Sequence, residues 1–417
     1  RSCRSYGNRC ARPGDAMIKT ERELAVLGGQ PLFTHPLHVG RPNIPDRAAV
    51  LKRIAASLDR AWLTNDGPLV RELEAKLSDY IGVRHCVAMA NATVAMEVLA
   101  RALELTGEVI VPAFTFIATP HAFSWLGLQP VFCDVNRSTH MIDVRSAERM
   151  ITERTSAIAA VHLWGGAADV EALDDLATRH NLALVYDSAH ALGASAHGKR
   201  VGGFGDAEVF SFHATKFFNT FEGGAVTTNN DGLAERLRLL RNFGFAGYDN
   251  VIAHGTNAKL SEAHAAMGLT MIEHVEALSD RNGITWRRYA EALPHPGVKL
   301  LRPIETNSSN YQYVVCEVTD DAPLTRDQLL NVLWQENVRA RRYFFPGCHR
   351  TEPYAGANQT LPVTEEIAAR VLVLPAGALI TADEIAKVVH LIERAFENAA
   401  RLRDRLPEYM PPGAFKA

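Results

Sequence analysis

The sequence predicts an α/β protein in which a large domain, built on a mostly parallel sheet, is followed by a smaller α+β domain. Three observations support this prediction. Between residues 86 and 228, seven short apolar runs alternate with helical segments, as in parallel sheets that are covered on both faces. Near Asp280 this alternation ends and longer helical segments begin. One of the runs ends at Asp187, which places a carboxylate where ligands bind in open α/β sheets.

Two segments precede the predicted sheet. Residues 1–16 are rich in arginine and have no apolar stretch, which distinguishes them from a secretory signal. Residues 1–45 as a whole are turn-rich and lack periodicity, so we expect an N-terminal extension and an arm outside the core. One helix is expected from Asp46 and another from about Gly67. The apolar stripe of the first helix consists of Val50, Leu51, Ile54 and Leu58.

The large domain is predicted to span residues 46–279, and its strands are short runs rich in β-branched and apolar residues. The strand candidates are Cys86–Ala90, Val109–Pro112, Pro130–Val135, Ala157–Leu163, Leu182–Asp187, Val209–Phe212 and Gly224–Thr228. The smaller domain is predicted to span residues 280–417. Its expected elements are a strand at Tyr311–Val318, a helix at Arg326–Gln335, a strand at Val338–Phe345 and a helix at Ala382–Arg403.

Composition excludes several classes of function. With a net charge of −3, the chain lacks the excess of basic residues that is typical of a nucleic-acid-binding protein. No apolar run approaches the roughly 18 residues that a membrane helix requires. The six cysteines form no C-x-x-C pair and the sixteen histidines form no H-E-x-x-H motif, so we expect no metal site. We therefore expect a cytoplasmic enzyme with reduced thiols and with neither a nucleic acid nor a membrane as partner.

Lys216 and Asp187 are the two candidate catalytic residues. Lys216 lies in a turn between two strand-like runs, where a lysine on its own is usually a surface cation. Asp187 could likewise be a helix N-cap. Together they fit pyridoxal phosphate chemistry, because a lysine can hold the aldehyde as a Schiff base and an aspartate can keep the pyridine nitrogen protonated.

The residues around this pair carry a resemblance to a known family. The motifs D-S-A-H at 187–190 and S-F-H-A-T-K at 211–216 resemble those of the DegT/DnrJ/StrS sugar aminotransferases, which are fold-type I pyridoxal phosphate enzymes. The resemblance extends from about residue 27 to about residue 402. It implies pyridoxal 5′-phosphate as cofactor and a homodimer with shared active sites. Relatives that remove a hydroxyl group carry histidine at the position of Lys216, so lysine implies transamination.

The resemblance also implies a set of cofactor-binding residues. They are Ala92, Thr93, Phe116, Asp187, His190, Ser211, Lys216 and Asn257. By this resemblance, the turn at Ala92-Thr93 and Ser211 hold the phosphate, Phe116 lies flat on the pyridine ring, and Asn257 reaches the neighbouring subunit's cofactor. Judged from the residues alone, the turn is equally a helix N-cap and His190 a buried core histidine.

Several local runs, such as WLTNDGP at 62–68 and PGCHR at 346–350, indicate which sugar accepts the amino group. They are most like family members that aminate C4 of dTDP-4-keto-6-deoxy-D-glucose in antibiotic amino-sugar pathways. The implied donor is L-glutamate and the implied product is dTDP-4-amino-4,6-dideoxy-D-glucose. The residues expected to line the sugar pocket, because they add donors and stacking surfaces, are Arg41, Asn65, Trp164, Tyr313 and His349.

Three other functions compete with this one. A glutamine-dependent aminotransferase acting on a keto-inositol (scyllo-inosose) would use the same chemistry with another donor and acceptor. A nucleotide-dependent oxidoreductase is disfavoured because the glycines at 202–205 do not form G-x-G-x-x-G after a first strand. A non-catalytic, cofactor-binding regulator is disfavoured by the presence of Lys216.

Overall fold

The computed structural model describes residues 23–293, 295–304, 307–357 and 359–415, so the predicted extension at residues 1–16 lies outside the described residues. Strands are numbered in chain order. They are β1 Leu37–His38, β2 His85–Met89, β3 Glu108–Pro112, β4 Gln129–Cys133, β5 Thr155–Val161, β6 Ala183–Asp187, β7 Ser195–Ala196, β8 Lys199–Arg200, β9 Ala207–Ser211, β10 Gly224–Thr228, β11 Val298–Leu300, β12 Val314–Val318, β13 Val338–Arg339 and β14 Val371–Leu374. The α-helices are α1 Arg47–Asp59, α2 Pro68–Ile81, α3 Ala92–Ala102, α4 Ala118–Trp125, α5 Val144–Arg149, α6 Val170–His180, α7 Asp231–Leu240, α8 Glu262–Ile272, α9 Val275–Ala292, α10 Arg326–Gln335, α11 Pro362–Arg370, α12 Ala382–Glu397 and α13 Ala399–Arg403. Single 3₁₀ turns lie at Ala25–Leu27, Cys348–Arg350 and Ala355–Ala357.

The central sheet has seven strands in the order β2-β10-β9-β6-β5-β3-β4. Neighbouring strands are parallel except where β10 runs antiparallel to β2 and β9. The predicted mostly parallel sheet is therefore confirmed, and each of the seven strands predicted for the large domain is present within two residues of its expected ends. The carboxyl ends of β2, β3, β6 and β9 consequently meet at one edge of the sheet.

The strands could be predicted because both faces of the sheet are buried. Alternate residues of β3 belong to different hydrophobic clusters: Ile110 packs in one, and Val109 and Val111 pack in the other. Parallel strands that are covered on both faces read as continuous apolar runs. Helices α2 and α8 pack against each other in the cluster that contains Ile110, and α3 and α7 contribute to the cluster that contains Val109.

The C-terminal part contains the antiparallel sheet β11-β12-β14, which packs with α10 and α12 around a third hydrophobic cluster. The predicted helix α10 is present with the expected bounds. The predicted helix at residues 382–403 is divided at Asn398 into α12 and α13. The predicted boundary between residues 279 and 280 falls within α9, which contributes Leu278 to one cluster and Tyr289 to another, so the boundary stays a prediction.

One strand assignment in this part was wrong, and strands β11 and β14 were missed. The strand expected at Val338–Phe345 is limited to β13, because the chain then turns and Pro346 has no N–H group for a ladder. Strand β14 was not predicted. It follows α11 without a turn residue between them, and periodicity does not separate a four-residue apolar strand from a buried helix end.

The N-terminal arm also differs from expectation, because it belongs to a core. Leu24, Leu27 and Leu37 are buried in the C-terminal hydrophobic cluster, and β1 pairs in parallel with β13. The Glu336 carboxylate accepts hydrogen bonds from the backbone N–H groups of Ala25 and Leu32, each at 2.6 Å. These partners are about 300 residues apart in sequence, so local periodicity could not reveal them.

The apolar stripe of α1 is only partly buried, although it was expected to face the core. Asp46 caps the helix as predicted, and Val50 is buried. Leu51 and Leu58 are 53% and 61% exposed in the single chain. Among the described helices, none has both the length and the apolar content required to cross a membrane.

Candidate functional site

A cavity of about 760 Å³ lies at the edge of the large sheet where the carboxyl ends of its parallel strands meet. The loops that follow β2, β3, β6 and β9 contribute to its lining, and Arg341, Tyr343 and Phe344 of the C-terminal part form one wall. This is the position at which open α/β sheets bind ligands. The cavity brings together most of the side chains that the sequence singled out for cofactor binding.

Asp187 ends β6 and presents its carboxylate to this cavity. The Thr119 hydroxyl donates to one carboxylate oxygen at 2.6 Å, and the Ala189 N–H donates to the other at 3.1 Å. Thr115 lies 3.0 Å from Thr119 through their hydroxyl oxygens and extends the network. These hydrogen bonds hold the carboxylate in one orientation, which a flexible surface aspartate would lack.

Lys216 lies in the loop between β9 and β10 and lines the same cavity. Burial lowers the pKa of its ammonium group from 10.5 to about 8, although the negative charge of Asp187 and the Tyr343 hydroxyl oppose this shift. A lysine with a lowered pKa is neutral more often near physiological pH and is therefore a better nucleophile. The structure thus does not place Lys216 as an ordinary surface cation.

His190 is buried in the wall of the cavity beside Tyr313. Burial, reinforced by the positive charge of Lys216, holds the pKa of His190 well below 6.5, so its ring is neutral. Its Nε2 lies 3.4 Å from the Tyr313 hydroxyl, whereas its buried Nδ1 has no hydrogen-bond partner among the described residues. A buried ring nitrogen without a partner is costly, and a polar ligand atom in the cavity would satisfy it.

The start of helix α3 forms another side of the cavity. Asn91 caps the helix by accepting the Val94 N–H at 2.9 Å, so the N-cap reading of this turn is correct. The N–H groups of Ala92 and Thr93 have no protein acceptor among the described residues, and both residues line the cavity. Free N–H groups at a helix N-terminus favour a phosphate, and the Thr93 hydroxyl adds a donor.

Phe116 and Ser211 complete the predicted cofactor residues in this chain, and both line the cavity. Phe116 is 55% exposed, which is unusual for a phenylalanine that follows a buried strand. An aromatic face left open beside Asp187 suits stacking on a planar ring. These donors, the unpartnered His190 nitrogen and the Lys216–Asp187 pair together fit pyridoxal phosphate.

Trp164 and Tyr313 were predicted to bind sugar, and only Tyr313 lines the cofactor cavity. Trp164 is buried behind the cavity wall. Its ring stacks on the rings of Phe344 and His190, with 5.4 Å and 6.1 Å between ring centres. The Trp164 indole N–H donates to Nδ1 of His140 at 3.3 Å. In the single chain, Trp164 therefore supports the cavity wall and offers no free donor to a ligand.

Arg41 and His349 are held by the C-terminal part and do not line the cofactor cavity in the described chain. Arg41 donates to the Leu379 carbonyl at 2.7 Å. His349 is buried, its Nε2 lies 3.1 Å from the Glu365 carboxylate, and burial lowers its pKa. The structure brings neither side chain to Lys216, so their roles in sugar binding stay predictions.

Asn65 and Asn257 lie on exposed loops away from the cavity of their own chain. The Lys259 ammonium donates to the Asn257 side-chain oxygen at 2.6 Å and lies 4.6 Å from the centre of the Phe243 ring. Such positions could serve a site only across an interface between two chains. Their predicted roles therefore depend on the oligomeric state.

Sequence reasoning missed three residues of the site. Thr119, the donor to Asp187, lies three residues after Phe116 in a stretch where only the aromatic residue suggested a role. Tyr343 and Phe344 line the cavity but were assigned to a strand. The Y-F-F-P run at 343–346 was the available signal, since proline at the end of an aromatic run argues against a continued strand.

Comparison with known proteins agrees with this geometry. The sequence profile of the DegT/DnrJ/EryC1/StrS aminotransferase family matches residues 46–393, and the chain belongs to this family. It is a pyridoxal-phosphate-dependent sugar aminotransferase with the fold-type I architecture.

The relatives are similar over nearly their full length. A dTDP-4-amino-4,6-dideoxy-D-glucose transaminase of Shigella dysenteriae is 36% identical over 86% of this chain and 98% of its own. The Escherichia coli protein of the same name is 33% identical over 85% of this chain and 97% of its own length. The crystal structure of DesI in the presence of its TDP-sugar product is 47% identical, covers 92% of this chain and 98% of its own, and has a TM-score of 0.88.

Proposed function

We propose that this enzyme transfers an amino group from L-glutamate to C4 of dTDP-4-keto-6-deoxy-D-glucose, yielding dTDP-4-amino-4,6-dideoxy-D-glucose and 2-oxoglutarate. The observation that supports this reaction is that Lys216, whose pKa is lowered, lines the same cavity as the hydrogen-bonded Asp187 carboxylate. The choice of sugar is supported by the names of the two transaminase relatives and by DesI with its TDP-sugar product.

The position of each residue in the cavity indicates its role in the reaction. Pyridoxal phosphate, when bound, carries the amino group between donor and acceptor and withdraws electrons from the reacting carbon. Asp187 would face the pyridine nitrogen, and the N–H groups of Ala92 and Thr93 would hold the phosphate. Lys216 would bind the aldehyde carbon and, once released, move the proton at the reacting carbon. Nδ1 of His190 would find a polar partner on the ring.

The acceptor is tested by a panel assay on purified protein loaded with pyridoxal phosphate. Glutamate or glutamine is supplied with dTDP-4-keto-6-deoxy-D-glucose or scyllo-inosose, and products are identified by mass and NMR. We expect a 4-amino sugar nucleotide with glutamate. Amination of the inositol with glutamine alone would instead establish the alternative function. The predicted antibiotic pathway and cytoplasmic location stay predictions.

The pH dependence of cofactor capture follows from the Lys216 pKa. We expect cofactor-free protein to bind pyridoxal phosphate faster as pH rises, with a midpoint near the Lys216 pKa of about 8, because only the neutral amine attacks the aldehyde. The Asp187 charge raises the Lys216 pKa, so Asp187→Asn should move the midpoint to lower pH. Stopped-flow absorbance measures the rate, and a midpoint near the ordinary lysine value of 10.5 would contradict the assignment.

A homodimer with shared active sites is supported by the surface of the single chain. Leu51 and Leu58 on α1, together with Leu63, form apolar surface that a lone chain leaves in water. Phe243, beside Lys259 and Asn257, is also exposed. We propose that a second copy covers these residues and that its Asn257 reaches the cofactor phosphate. Each site would then require two chains.

Mixing two inactive variants tests the shared site. In a hybrid of Lys216→Ala with Asn257→Ala, one site carries both changes and the other carries neither. Random mixing in equal amounts makes half of the dimers hybrid, so we expect about one quarter of wild-type activity. Activity is measured after the mixture is dissociated and reassembled. Activity no higher than the mean of the two parent variants would contradict sharing.

A further inference from the structure

The C-terminal segment, residues 407–415, extends beyond the family match, which ends at residue 393. It follows α13 and passes beside residues 341–346, here called the wall loop. Its contacts connect it to the wall of the cofactor cavity.

Arg342 of the wall loop holds the C-terminal segment. Its guanidinium donates to the carbonyl oxygens of Met410 at 2.5 Å and Pro411 at 2.7 Å. The same guanidinium pairs with the buried Asp327 carboxylate at 3.0 Å, and Asp327 in turn accepts the Met410 N–H at 2.9 Å. Charge-assisted hydrogen bonds of this kind are stronger than neutral ones, so the segment is fixed at its centre.

Aromatic contacts fix the segment on both sides of this anchor. Phe415 lies 5.2 Å from the Arg342 guanidinium carbon and 5.3 Å from the Trp334 ring centre. Tyr409 packs on Phe345 at 5.9 Å. Phe345 also lies under Arg342, at 4.2 Å. The wall loop is thus covered on its outer side by the C-terminal segment.

On its inner side, the wall loop contacts the cavity. Tyr343 and Phe344, which follow Arg342, line the cavity, and Phe344 stacks on Trp164 at 5.4 Å. A second groove of about 330 Å³ shares Phe116 and both of these residues with the cofactor cavity. Its outer boundary includes Phe415. The C-terminal segment therefore bounds a groove that shares a wall with the active-site cavity.

We propose that the C-terminal segment is a positioning element for acceptor binding, which acts through Arg342 on Tyr343 and Phe344. The residues that would hold the cofactor belong to the large sheet and α3, so we expect its affinity not to depend on this contact. The acceptor must fit between the cofactor and the wall loop, and a loosened wall positions it less well. The identity of the acceptor rests on the proposed function, whereas the positioning of the wall loop does not.

Two variants remove the contact in different ways. Arg342→Gln removes the anchor charge, and a chain ending at Leu406 removes the segment. We expect either change to raise the KM for the keto sugar about tenfold and to change kcat less than about threefold. Pyridoxal phosphate affinity should stay the same. Combined, the two changes should raise KM by much less than the product of their separate effects, because both act on the acceptor through the same wall loop.

The matched control is Arg403→Gln, since Arg403 also donates to a backbone carbonyl in the C-terminal part, that of Pro323 at 2.8 Å. Hydrogen–deuterium exchange of the amides at 341–345 should accelerate in Arg342→Gln and in the shortened chain, and not in the control. Unchanged exchange and KM in both would overturn the proposal. Equal acceleration throughout the C-terminal part, with the same KM rise in the control, would also overturn it by revealing only lost stability. If wild-type protein leaves the dTDP-sugar unchanged, the proposed function fails, while loop-specific exchange would still show that the segment holds the wall loop, and the KM comparison is then made with the acceptor that the protein does aminate.

Discussion

We expect Lys216→Ala to abolish transamination, with a loss of more than about 10³-fold in turnover, and to leave the fold intact. The variant lacks both the amine that binds the cofactor aldehyde and the group that moves the proton. The fold should persist, because Lys216 lies in a loop and its charge is destabilised by burial, as its lowered pKa shows. Product formation by mass spectrometry and the melting temperature measure the two halves of this prediction.

Lys387→Ala serves as the control for this experiment. Lys387 is a surface residue of α12 whose ammonium pairs with Asp383 at 2.7 Å. Removal of this lysine should leave turnover within about twofold of wild type, since exposed ion pairs contribute little to stability. A Lys216→Ala protein with near wild-type turnover would refute the catalytic assignment.

Asp187→Asn lowers turnover by about 10²-fold, the second-largest effect that we expect. The amide keeps the shape of the side chain and a partner for Thr119, but it removes the negative charge that the pyridine nitrogen requires. Thr119→Val is the companion variant, because it removes the 2.6 Å donor and leaves the charge. We expect this loss to stay below about tenfold. Turnover of Asp187→Asn within threefold of wild type would contradict the assigned role.

The parts of the site that the sequence predicted are those that depend on local structure. Asp187 ends a continuous apolar run, and a strand that is buried on both faces shows both its position and its end. Lys216 lies between two such runs, so its loop could be located before its environment was known. Ala92 and Thr93 start a helix just after a strand, which is a local signal as well.

The parts that were missed depend on contacts between distant segments. Phe344 reaches the cavity because it packs on Trp164, some 180 residues earlier in the chain. The burial of the N-terminal arm depends on Glu336, again far away in sequence. The strand propensity of an aromatic run does not reveal which distant residues the run packs against. It shows only that its side chains suit a half-buried surface.

The exposed stripe of α1 has a different origin. Periodicity correctly indicated an apolar face, but the described residues of one chain leave Leu51 and Leu58 more than half exposed. A sequence pattern shows which residues avoid water without showing which chain buries them. The homodimer proposal accounts for these residues and for the position of Asn257 together.

Transfer of ¹⁵N from labelled glutamate to the sugar tests the central proposal most directly. Purified protein, pyridoxal phosphate, [¹⁵N]glutamate and dTDP-4-keto-6-deoxy-D-glucose are incubated, and the product is examined by ¹⁵N-edited NMR. We predict a labelled amine bonded to C4 of the intact dTDP-sugar, with no label in the Lys216→Ala reaction. Label at another carbon, or unchanged keto sugar alongside active glutamate deamination, would contradict the proposed acceptor.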